Sequence, residues 1–114
     1  MKTEFRNTIR RRTDGSADVI DCMTEAFVGK LLDISASGLR IASASPFGIE
    51  ALFQWQFPLP DTLHTDTPKT IECGVQVIWS RADPSGRHII GARFIQIAPQ
   101  TRERIRHWCN QATQ

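Results

Sequence analysis

The clearest pattern in the chain is a series of short apolar stretches separated by polar turns. Within these stretches apolar and polar positions alternate, which is typical of β-strands because successive side chains point to opposite faces. The alternation predicts six strands, over residues 16–22, 27–34, 39–41, 51–57, 71–79 and 88–97. The strongest is 71–79, whose apolar face carries Ile71, Cys73, Val75, Val77 and Trp79.

A row of aromatic side chains marks the strand predicted at 51–57. Phe53, Trp55 and Phe57 fall on one face, and such a row can stack nucleic-acid bases on an exposed sheet. No basic residue interleaves with the row. We therefore interpret it as part of the core, with base stacking as the alternative.

The period changes at Pro99, a residue that suits the first turn of a helix. The apolar positions beyond it follow helical spacing, opposite a face rich in arginine, and are Ile105, Trp108, Cys109 and Ala112. We predict a helix over 99–112 that packs against the sheet. Many short strands followed by one helix predict a mainly β fold, a small antiparallel β-barrel with a C-terminal α-helix.

Composition narrows the class of protein. A chain of 114 residues makes one domain. No apolar run reaches the length of a membrane span, and no apolar segment of a secretory signal follows the basic N-terminus. The three cysteines lie far apart and are odd in number, which favours reduced thiols in a cytoplasmic protein over disulfides or a metal site.

Positive charge is concentrated at the N-terminus although the net charge is only +2. The first twelve residues contain one acid, Glu4, against Lys2, Arg6, Arg10, Arg11 and Arg12. A basic arm of this kind suits nucleotides, nucleic acids or anionic lipids. Residues 1–14 lack apolar periodicity, and we expect this arm to be mobile without a ligand.

Residues 33–38, with the sequence Asp-Ile-Ser-Ala-Ser-Gly, lie between two apolar runs and predict a strand–turn–strand junction. Asp33, Ser35 and Ser37 alternate, so we expect their oxygens on one exposed face, where they can accept hydrogen bonds from a flat polar ligand. We expect Gly38 to supply a positive φ. The alternative is an ordinary polar turn in which Asp33 and Ser35 bond their own backbone.

Two motifs together resemble the PilZ family, the bacterial receptors for cyclic di-GMP. They are Arg6-x-x-x-Arg10 in the arm and, about two dozen residues later, the D-x-S-x-x-G turn. The hairpin that contains Trp79 and then Gly91-x-x-Phe94 is similar to the last part of the PilZ barrel, so the resemblance covers nearly the whole chain. It implies a PilZ-like barrel over 15–114.

By motif position the resemblance implies a ligand site. Its residues are Arg6, Arg10, Asp33, Ser35 and Gly38, with Arg11 added because the arginine triplet at 10–12 leaves the register of the arm open. Guanidinium forks match guanine O6 and N7 and also phosphate oxygens, while a carboxylate accepts from the opposite, donor edge of guanine. We predict a receptor that orders its arm on the nucleotide and signals to a partner protein.

Two other classes of function compete with this one. A small-barrel nucleic-acid-binding module would use the arm, but a carboxylate at Asp33 would repel backbone phosphates. The other alternative is a PilZ-type protein that acts mainly through protein–protein contacts. No cysteine, histidine or paired carboxylates have partners at catalytic spacing, so we expect no enzyme, metal or cofactor. We expect neither a nucleic-acid polymer nor a membrane as partner.

Overall fold

The computed structural model of the protein describes residues 9–62, 66–67 and 69–111. In this part of the chain there are seven strands, one short 3-10 helix and one α-helix. Their bounds are β1 Arg11–Arg12, β2 Asp18–Asp21, β3 Phe27–Ile34, β4 Gly38–Ser43, β5 Leu52–Pro58, the 3-10 helix Pro60–Thr62, β6 Thr70–Ala82, β7 His88–Gln96 and α1 Pro99–Gln111.

The strands form a closed antiparallel barrel. Neighbouring strands pair in the order β3-β2-β5-β6-β7-β4, and β4 returns to β3 to complete six strands. The two-residue strand β1 is extra and pairs with the end of β3, at Ile34 and Asp33. The predicted mainly β barrel with a C-terminal helix is therefore confirmed.

The barrel interior is the hydrophobic core. Trp55 and Phe57 are fully buried, and Phe53 packs against them. The aromatic row is thus core, as predicted, and its burial removes a large apolar area from water. Ile105 and Cys109 of α1 join the same core, so the helix packs against the barrel. Among the described residues no helix is long and apolar enough to cross a membrane.

Strand ends differ from the prediction in both directions, because β2 is shorter, at Asp18–Asp21, whereas pairing extends β4 and β6. β3 has the predicted bounds, whereas β6 continues to Ala82, which pairs with His88 in β7. Only residues 83–87 remain as the turn, closed by a hydrogen bond from the Asp83 N–H to the Arg87 carbonyl at 2.8 Å. The strand β1 was not predicted, because two residues carry no periodicity.

Trp79 does not share the core face of β6, and that prediction is wrong. Val77 pairs with Ala92 and Trp79 with Gly91, so Ile78 is an extra residue in a β-bulge. A one-residue shift moves the following side chain to the other face of the sheet. Trp79 is consequently half-buried on the outer surface, and Ile78 is 50% exposed.

Candidate functional site

Cross-strand pairing aligns five residues on the outer face of the sheet. Each is the direct partner of the next across β1, β3, β4, β7 and β6, in the order Arg12, Asp33, Arg40, Gly91 and Trp79. Directly opposed residues point to the same face. Two bulges create this outer row, since extra residues at Leu32 and Ile78 bring Asp33 and Trp79 into line.

Asp33 lies at the centre of an ion-pair cluster. Its Oδ1 accepts a hydrogen bond from Arg10 Nη1 at 2.7 Å, and its Oδ2 accepts one from Arg40 Nε at 2.6 Å. Arg40 Nη2 also contacts Oδ2. The Asp33 side chain is only 1% exposed beneath the two arginines. The expectation of an exposed carboxylate is wrong, because the arginines cover it and supply the partners that a buried charge requires.

Arg10 and Arg40 have N–H donors that remain available to a ligand after both have paired with Asp33. The hydrogen bond that Arg40 donates to Asp33 raises the pKa of Arg40, burial opposes this to a smaller extent, and the negative charge of Asp33 raises the pKa further. The Arg10 and Arg40 side chains remain 42% and 33% exposed. Two cations and one anion leave one net positive charge, and each guanidinium has five donors. The cluster can therefore bind an anion.

A pocket of about 410 Å³ opens beside this cluster. Its lining residues are Arg10, Leu39, Arg40, Ile78, Trp79, Gly91 and Ala92. A Cβ atom at Gly91 would lie 2.3 Å from Trp79 Cε2, so the missing side chain makes room for the indole. The Arg81 guanidinium lies 5.2 Å from the centroid of that ring. The pocket thus combines guanidinium donors with an aromatic surface, a combination that suits a flat base carrying phosphate.

The turn at 35–38 is satisfied internally. Ser35 is fully buried, its N–H donates to the Gly38 carbonyl at 2.8 Å, and its Oγ accepts from the Ser37 N–H at 3.2 Å. The expected exposed face of oxygens is therefore wrong for Asp33 and Ser35. For Ser35 this geometry matches the alternative of a turn that bonds its own backbone, whereas the Asp33 carboxylate binds Arg10 and Arg40 instead.

Gly38 is required for a different reason from the one predicted. Its φ is not positive, because the described glycines with positive φ are Gly15 and Gly86. A Cβ at Gly38 would instead lie 2.3 Å from the Ala92 carbonyl oxygen. Close approach of two strands, rather than turn conformation, excludes a side chain there.

The structure separates the six residues predicted for the ligand site. Arg10 lines the pocket and Asp33 binds Arg10 beneath it. Ser35 and Gly38 are not among the lining residues. Arg11 points away and contacts Trp108 in α1. Arg6 lies outside the described residues.

Of the seven residues that line the pocket, the sequence analysis assigned only Arg10 to the ligand site, and those it missed include Arg40, Trp79 and Gly91. The alternation of Leu39, Arg40 and Ile41 already placed a basic side chain on the outer face of a strand. The G-x-x-F motif singled out Gly91 only by resemblance. Their proximity depends on two bulges, which hydrophobic alternation does not predict.

A closed antiparallel barrel with a C-terminal helix and a paired-arginine pocket on its outer face defines a small β-domain. The family model described as the PilZ domain matches residues 4–111, and the chain therefore belongs to the PilZ domain family. A comparison with curated protein sequences finds no match.

Solved structures of PilZ proteins share the fold. The Bacillus subtilis inhibitor of motility, MotI/DgrA, matches with a TM-score of 0.76 and 17% identity, over 93% of this chain and 50% of that one. Escherichia coli YcgR in complex with c-di-GMP (cyclic di-GMP) matches with a TM-score of 0.68 and 12% identity, over 93% of this chain and 45% of that one. The PilZ domain of Escherichia coli YcgR with c-di-GMP matches with a TM-score of 0.62 and 12% identity, over 93% of this chain and 92% of that one. The present chain spans about half of the first two.

Proposed function

We propose that this protein is a receptor for cyclic di-GMP and that the nucleotide binds in the pocket beside Arg10 and Arg40. One observation supports the proposal most: in this PilZ domain Arg10 and Arg40 both donate hydrogen bonds to Asp33, and they line the same pocket as the indole of Trp79. The fold neighbour YcgR, which was solved with c-di-GMP, supports the choice of ligand.

The chemistry of the nucleotide matches the pocket. Cyclic di-GMP has two phosphates and two guanines, and an arginine fork binds either phosphate oxygens or guanine O6 and N7 in bidentate fashion. In our proposal Trp79 stacks on a guanine. Both oxygens of Asp33 are already engaged, so its part is to orient Arg10 and Arg40.

The proposal extends to the arm and to signalling. Arg6, four residues before Arg10, adds a further guanidinium when the arm folds over the nucleotide. Ordering costs on the order of 1 kcal/mol or more per residue, which the nucleotide offsets when its phosphates and guanines engage both Arg6 and Arg10. The ordered arm and the ligand then form a new surface for a partner protein.

A fluorescence titration tests the proposed location of the ligand. Cyclic di-GMP should change the emission of Trp79 by stacking. In a separate hydrogen-exchange experiment, the nucleotide should raise the protection of residues 1–8. Trp55 is fully buried and should report little. The Trp79→Phe variant keeps an aromatic ring, so it should still bind but lose most of the emission change.

Two outcomes of this titration contradict the proposal. An emission change undiminished in Trp79→Phe means that the ligand binds elsewhere. An equal response to a short single-stranded oligonucleotide favours the nucleic-acid-binding alternative.

A further inference from the structure

Neighbouring arginines in the N-terminal segment reach two different parts of the molecule. Arg10 binds Asp33 at the pocket, while the guanidinium of Arg11 meets the C-terminal helix α1. The alternation of side chains along an extended backbone causes this divergence. One short segment therefore touches both the proposed nucleotide site and the helix.

The contact between Arg11 and Trp108 has two components. Arg11 Nη1 donates a hydrogen bond to the Trp108 carbonyl at 2.8 Å. The guanidinium carbon also lies 4.0 Å from the centroid of the Trp108 ring, well within the range of a cation–π contact. A planar cation that stacks and donates at once is a specific feature of arginine. We call this pair the clamp.

The same helix is fastened to the turn that follows Asp33. Cys109 Sγ donates to the Ile34 carbonyl at 3.2 Å, and Arg102 Nη1 donates to the Ala36 carbonyl at 3.0 Å. Burial raises the pKa of the Cys109 thiol, which keeps it a neutral donor. Thus α1 touches the segments that carry both Arg10 and Asp33.

We propose that the clamp positions Arg10 for nucleotide binding and couples the pocket to helix α1. The inference rests on the proposed function and assigns Arg11 and Trp108 as positioning residues. β1 is only two residues long, so side-chain contacts contribute much of what holds it. Besides Arg11, the contacts that anchor this segment are the Arg10–Asp33 ion pair, the packing of Ile9 and the hydrogen bonds of Thr13 to β3. Because coupling is reciprocal, nucleotide should also stabilise the clamp.

A double-mutant cycle tests the clamp. Arg11→Ala and Trp108→Ala should each weaken cyclic di-GMP binding about fivefold or more, the lower end of typical coupling. The double variant should be no weaker than either single variant, because both remove the same contact. Arg106→Ala is the control, since Arg106 is an exposed arginine of α1 that pairs with Glu103 and should bind as wild type does.

Conservative variants separate positioning from folding. Arg11→Lys and Trp108→Phe disturb the core least, and circular dichroism should show an intact fold. Arg11→Lys keeps a cation near the ring but loses the planar stack, so it should restore only part of the affinity, whereas Trp108→Phe keeps an aromatic face and should restore most of it.

Hydrogen exchange tests the clamp without nucleotide. Residues 9–13 should exchange faster in Arg11→Ala and Trp108→Ala than in wild type or Arg106→Ala. Unchanged exchange, or additive losses of affinity in the cycle, would overturn the clamp. If wild type binds no cyclic di-GMP, the proposed function and the coupling to nucleotide both fail. Faster exchange would then support the clamp only as the anchor of β1.

Discussion

At the scale of single residues, Asp33 has the most constrained environment in the site. Its carboxylate is buried, and both oxygens are bonded to arginines that come from different segments of the chain. Such a residue stabilises the fold and orients the binding groups at the same time, since charge-assisted bonds are both strong and directional. Stability and affinity should therefore fall together when it is changed.

Asp33→Ala should lower the free energy of unfolding by about 1–3 kcal/mol, because two partly exposed arginines lose a buried partner. Cyclic di-GMP binding should weaken as well. Asp33→Asn keeps the shape and one acceptor and should fall between alanine and wild type. Urea unfolding and calorimetry measure the two effects.

The control is Asp18→Asn, which breaks the exposed pair with Lys30. Exposed pairs contribute about 0–1 kcal/mol, so stability should hardly change. An equal loss in the two asparagine variants would show that burial of Asp33 does not matter.

The sequence predicts Arg10 and Asp33 for one site because each belongs to a short motif whose residues lie close together along the chain. It misjudged the exposure of Asp33 and the role of Gly38, since both depend on neighbours distant in sequence. Arg40 covers the carboxylate only across a bulged ladder, and Ala92 approaches Gly38 from another strand. Contacts of this kind leave no periodic signal.

At the scale of elements, the β6–β7 hairpin decides which face Trp79 occupies. Strand existence was well predicted, because alternation of apolar side chains is a local signal. The bulge at Ile78 was not, and it reversed the orientation of the tryptophan. The hairpin positions the indole through Gly91, whose bare backbone lies against it.

Gly91→Ala should displace Trp79 from the pocket, since the added Cβ would lie 2.3 Å from the indole. Loss of base stacking should cost about 1–3 kcal/mol of binding free energy. Calorimetry gives the affinity, and tryptophan emission reports the displacement.

Gly74→Ala in the same hairpin is the matched control. There the added Cβ would lie 3.1 Å from the Gln96 Cβ, so the neighbouring strand has to move by only a few tenths of an ångström. Its affinity should stay near wild type. Similar losses in both alanine variants would contradict a specific role for the Gly91–Trp79 contact.

At the scale of the whole molecule, the PilZ barrel is recovered at 12–17% identity to solved structures. A fold of this kind is specified by the pattern of buried positions, whereas function depends on particular side chains at a site. We therefore expect this barrel to bind cyclic di-GMP through Arg10 in the outer pocket.

Calorimetric titration of wild type and Arg10→Ala with cyclic di-GMP measures how far binding depends on this arginine. Wild type should bind, and Arg10→Ala should bind at least tenfold more weakly, because a charge-assisted hydrogen bond contributes about 1.5–3 kcal/mol. Arg93→Ala, which removes an exposed arginine bonded to Gln76, should match wild type. Absence of binding by wild type, or equal affinity of a folded Arg10→Ala variant, would show that the barrel does not bind cyclic di-GMP through Arg10.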